Sequence, residues 1–124
     1  MIVIFRSNNA TRFQLDPAKT YKFTVVDFAC TFSRTVTKRL SHGSFLAVES
    51  NLIAKNSLNP SQTIMFFEFD ANKSWQYVKS SFESFDSLSI KDLEYAHFGI
   101  STIFNEKIPL NDFVIKVEIR EISQ

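Results

Sequence analysis

Thr63-Ile-Met-Phe-Phe-Glu-Phe-Asp70, followed by Ser74-Trp-Gln-Tyr-Val-Lys-Ser-Ser-Phe-Glu-Ser-Phe85, is the stretch on which the fold reading turns. Its first part puts aromatic residues on both sides of a pleat, Phe66 on one and Phe67 and Phe69 on the other. A strand that is apolar on both faces is expected at the centre of a sheet, covered twice. In the second part Trp75, Val78, Phe82 and Phe85 recur at steps of three, four and three. That spacing describes one stripe of a helix, with Gln76, Lys79, Ser80, Glu83 and Ser84 mostly opposite. Asn72 or Ser74 supplies an N-cap. The pair predicts a strand with a helix packed back on it, and a loss of about 3–5 kcal/mol for Phe82→Ala.

Toward the C-terminus, Ser89-Ile-Lys-Asp92 has the form of a capping box, with Asp in the place of Glu or Gln. The helix it opens would present Ile90, Leu93, His97, Ile100 and Phe104 on one side, weakened by Gly99 and ended by Pro109. From Asp112 to Ile122 the period is two: Phe113, Ile115, Val117 and Ile119 oppose Lys116, Glu118 and Arg120. This is the pattern of a half-covered antiparallel strand closing the sheet.

Toward the N-terminus, Phe45, Val48, Leu52 and Lys55 have helical spacing with Ser44 as a cap, which favours a helix over 44–58. A strand over Ser44–Glu49, paired with the segment before His42, is the alternative. Tyr21 to Phe28 alternates, and alternation resumes from Phe32 to Leu40, as one bent strand or a hairpin ending at Ser41-His42-Gly43. Phe13 to Leu15 reads as a small strand before Asp16-Pro17 and Ile2 to Phe5 as a short one. The expected class is α+β: a mainly antiparallel sheet of four to six strands with two or three helices on one face. No linker, repeat or low-complexity tract divides residues 1–124, so one domain is expected.

Composition narrows the chemistry. The chain has 124 residues, 44% apolar and 15% aromatic, with fourteen Phe, enough for a core without staples. Only two glycines are present, and neither phosphate-cradling glycine motif occurs, so nucleotide chemistry of those kinds and a cofactor are not expected. Cys30 is the one cysteine, which excludes an internal disulfide or a Cys-rich zinc site and suits a small core residue. His42 and His97 do not form a metal-binding spacing, and no metal is expected. Met1 to Phe5 is too short for a signal core, and no apolar run approaches the roughly 20 residues of a membrane span. A cytoplasmic protein without a membrane is the expectation, and the triplets at Asn9 and Asn72 are then chance glycosylation matches.

No motif assigns an activity, and charge carries what remains. Residues 1–62 hold eight Lys or Arg against three Asp or Glu, whereas residues 63–124 hold six against ten. Glu83, Asp86, Asp92 and Glu94 cluster where two helices are predicted to meet. Such a patch would steer a partner protein with a basic surface. The expected function is non-catalytic protein binding, as a small cytosolic inhibitor or antagonist of the immunity-protein or phage anti-defence type. The alternative is a nucleic-acid-binding protein or metal-independent ribonuclease. It would use Arg34, Lys38 and Arg39 on phosphates and His42 as the base.

Overall fold

A computed structural model describes residues 1–7, 11–79, 84–86 and 88–122. Among them nine strands form two antiparallel sheets: β1 (Ile2–Arg6), β2 (Tyr21–Thr31), β3 (Phe45–Ser50), β4 (Thr63–Glu68), β5 (Trp75–Lys79), β6 (Ser84–Asp86), β7 (Phe98–Thr102), β8 (Lys107–Ile108) and β9 (Asp112–Glu121). The first sheet runs β1-β9-β2-β5, with β6 also paired to β2; the second runs β4-β3-β7-β8. Helix α1 (Arg34–Arg39) and a 3-10 turn at Leu93–Tyr95 are the helical elements among the described residues. The fold is therefore mostly β in two sheets, and the expected α+β arrangement with two or three packed helices does not form.

The core lies where the inner faces of the two sheets meet. Phe23, Val25, Phe28 and Cys30 of β2, with Ile115, Val117 and Ile119 of β9, are almost fully shielded from solvent. Opposite them lie Leu46, Val48, Met65, Phe67 and Ile100 of the second sheet. Ring contacts join the layers: Phe28 to Phe67 at 5.8 Å and Phe5 to Phe98 at 5.0 Å between centroids. Each buried phenylalanine contributes about 1.5–3 kcal/mol, an upper figure because unfolded chains are already partly collapsed. The predicted terminal strand forms as β9, but it sits inside the first sheet between β1 and β2.

Strand β2 keeps its apolar residues inward by a change of phase. Val25 pairs with Val117 and Asp27 with Lys116, so Val26 is an extra residue in the ladder. This β-bulge turns the inward set from odd positions (Phe23, Val25) to even ones (Phe28, Cys30). Without it the second half of the strand would point its core residues at water.

Five segments differ from the sequence reading. The predicted helix from Ser74 is strand β5, and Phe82 lies outside the described residues. Trp, Tyr and Val favour a pleated surface, and Thr31 to Asp27 of β2 offers a ladder for Trp75 to Lys79. Gln76, placed on the polar helical face by its spacing, is only 3% exposed. Its amide closes the preceding turn, donating to the carbonyls of Asp70 (2.9 Å) and Lys73 (3.0 Å) and accepting from the Asp70 N–H (2.8 Å). Strand β4, expected at the centre of a sheet, is an edge, and Phe66 is 56% exposed.

The alternating run after Phe32 is helix α1, because Ser33 caps it: the Ser33 hydroxyl accepts from Val36 N–H at 3.3 Å. Residues 45–50 form strand β3 rather than the favoured helix, pairing with β4 and β7 and not with the segment before His42. The helix predicted from Ser89 shrinks to one 3-10 turn capped by Asp92. Beyond it Asn51 captures the chain, donating to Tyr95 C=O and accepting from His97 N–H, each at 2.8 Å, and leads it into β7. His97 is consequently exposed instead of lying on an apolar stripe.

Candidate binding surfaces

The acidic residues singled out from sequence are placed differently from one another. Glu83 lies outside the described residues. Asp86 ends β6, with its backbone opposite Lys22. Asp92 forms an isolated bridge with Gln14, and its carboxylate accepts from Glu94 N–H at 3.1 Å, a capping role. Glu94 is exposed.

The basic segment splits. Arg34 and Thr37 line a groove with Asn72, Lys73 and Trp75, whereas Arg39 lines a second cleft with Leu40 and Phe45. Lys38 is exposed on the same helix. His42 faces a third depression with Asp70, Lys73 and Gln76. The Nδ1 of His42 accepts from Ala71 N–H at 3.1 Å, which puts the proton of the neutral ring on Nε2. Arg34, Arg39 and His42 thus line three separate depressions, and Lys38 lines none of the three. Among the described residues no group of three or more His, Cys, Asp or Glu is placed to hold a metal ion, and no helix is long and apolar enough to cross a membrane.

Two surfaces that the sequence reading did not single out are built more fully. The first is on the outer face of the second sheet. Phe45 of β3 and Phe66 of β4 point outward, 52% and 56% exposed. They are diagonal neighbours, since Phe45 pairs with Glu68 and Ala47 with Phe66. Beside Phe45 a cleft of about 250 Å³ has buried Val36 and Ile108 in its lining, with Leu40, Ile103 and Phe104 around them. Phe104 stands at the tip of the β7–β8 hairpin and is 85% exposed.

The hairpin turn is held firmly. The Thr102 hydroxyl accepts from Phe104 and Glu106 N–H, each at 3.2 Å, and Asn105 takes the left-handed conformation at φ 64°. Next to the two phenylalanines the carboxylate of Glu49 is neutralised by Lys107 at 2.5 Å and accepts from the Ser101 hydroxyl, while Glu68, opposite Phe45, is exposed.

The second surface is the outer face of the first sheet at β5. Trp75 and Tyr77 both point outward, 44% and 62% exposed, opposite Thr31 and Ala29. The Tyr77 hydroxyl donates to Asp27 Oδ1 at 3.0 Å, and that bond raises the phenol above the usual tyrosine range. The signal was present in the sequence: Lys73, Trp75, Tyr77 and Lys79 occupy alternate positions. A helical spacing that ran on to Phe82 and Phe85 overrode it.

No protein-family profile matches the chain, no curated protein matches its sequence, and no solved structure matches it.

Proposed function

We propose that this chain is a non-catalytic protein-binding module that holds its partner on the outer face of the second sheet. The observation that carries the reading is the exposure of Phe45, Ile103 and Phe104 around one cleft, with Phe66 exposed diagonally beside Phe45. Apolar area gathered on one face is characteristic of contact surfaces, and aromatic anchors in water-excluding pockets dominate binding energy. The partner presents an apolar side chain to the cleft. It places a carboxylate against Arg39, away from Glu106 on the same wall; neither residue is ion-paired with a described side chain. The absence of a sequence motif for catalysis suits an inhibitor or antagonist of another protein, an argument from class.

Capture from the native host followed by cross-linking mass spectrometry tests this. The wild-type chain is expected to retain a protein that both Phe104→Ala and Arg39→Glu lose, with circular dichroism unchanged in each variant. Retention of the same proteins by all three chains overturns the reading.

A further inference from the structure

The outward row of β5 carries a separate inference, independent of the cleft. Lys73, Trp75, Tyr77 and Lys79 are all exposed, and the last three follow one another on the same face of one strand. Alternate residues of a strand stand roughly 6.7 Å apart, so two rings are held in sequence with a cation at each end. Their cross-strand neighbours, Thr31 and Ala29, are small and leave the space beside the rings open. Tyr77 is further fixed by its bond to Asp27, which occupies the carboxylate opposite Lys79. Arg34 extends the cationic end, since it lines the groove beside Lys73 and Trp75. Arg34, Lys73 and Lys79 are not ion-paired to any described side chain.

We infer that this row binds single-stranded nucleic acid, two successive bases lying on Trp75 and Tyr77 while Arg34, Lys73 and Lys79 meet the phosphates. Aromatic rings on an uncovered sheet face flanked by cations are the physical requirement of such binding: stacking is tolerant of base identity, and the cations supply a salt-dependent attraction. The sheet face is a better fit than the basic segment alone, because the helix brings cations but no ring of its own.

Trp75 is the chain's one tryptophan, so its own fluorescence reports the contact. Twelve-residue oligo(U) and oligo(dT) are titrated into the intact chain at low salt, and anisotropy of labelled copies gives the affinity. Quenching of Trp75 with saturation is expected from at least one oligomer, and the two arms tell whether RNA or DNA is preferred. With three phosphate contacts, affinity should fall about 15- to 20-fold between 50 and 200 mM salt. Tyr77→Ala should weaken binding by about 5- to 150-fold, as should Trp75→Ala read by anisotropy. Trp75→Phe should retain most of the affinity, which separates lost stacking from lost structure. Lys79→Gln should flatten the salt dependence, and Phe104→Ala should leave binding unchanged. Absence of quenching and of an anisotropy change with both oligomers at 50 mM salt overturns the inference, and so does binding that Trp75→Ala leaves intact.

Discussion

Strands β2 and β4 are both rich in phenylalanine, yet they occupy opposite situations. β2 is paired along its length by β9 and flanked by β5 and β6, and Phe23 and Phe28 are entirely shielded. Among the described residues β4 pairs with β3 alone, and it turns Phe66 to solvent. What separates them is the distribution of polar side chains. β2 places Lys22, Thr24, Asp27 and Thr31 on its outer face, whereas β4 turns Phe66 to solvent between Thr63 and Glu68 and keeps Ile64, Met65 and Phe67 buried. An exposed ring on a sheet face gains from a covering, which need not come from its own chain. The outward phenylalanines are for that reason the strongest pointer to a binding surface.

The bulge at Val26 sharpens the comparison. Deleting Val26 leaves Val25, Asp27 and Phe28 in plain alternation opposite Val117, Lys116 and Ile115, so Phe28 and Cys30 keep facing the core. The expected result is a folded variant with cooperative unfolding and native amide dispersion in an NMR spectrum; loss of either would show that the bulge itself is required. Phe28→Ala comes next. Phe28 is fully buried against Phe67, and the cost should be about 3–5 kcal/mol in a denaturant titration. Phe66→Ala, at the corresponding exposed site, should change stability by less than about 0.5 kcal/mol.

Gln76→Ala falls between these. It leaves the Asp70–Lys73 turn without its three buried bonds, and about 1–3 kcal/mol should be lost. A smaller effect belongs to Cys30, whose burial pushes its thiol up to about 12 from an ordinary 9.0. The folded form holds the proton more tightly, so the contribution is fully present below pH 9.0 and is lost as pH rises toward 12. At pH 8 the native thiol should resist alkylation and react once denaturant unfolds the chain, as mass spectrometry of the labelled protein would show.

How much was legible in the sequence follows the same division. β9 and the first half of β2 could be read because one face is buried and the other wet, which writes a period of two into the residues. The bulge interrupts that period, so the rest of β2 reads as a phase error. β5 was missed because Trp75 and Val78 sit three apart by coincidence, one outward and one inward. β3 was ranked second to a helix and β7 was missed because Phe45–Val48–Leu52 and Leu93–His97–Ile100 also fit a helical stripe, and only long-range partners such as Asn51 decide otherwise. The surfaces were hidden for the same reason. Phe104 and Trp75 had been assigned to the interior by patterns that local sequence could not reject.

The open rim of β4 has a consequence for handling the isolated chain. Past Thr63, whose N–H and C=O are held by Asn59, the outer edge of β4 has no partner strand among the described residues, along a ribbon with one carboxylate and no proline, the make-up of segments that assemble into cross-β fibrils. Concentrated samples stored without a ligand should become thioflavin-positive through this ribbon first, and a lysine in place of Phe66 should delay the onset.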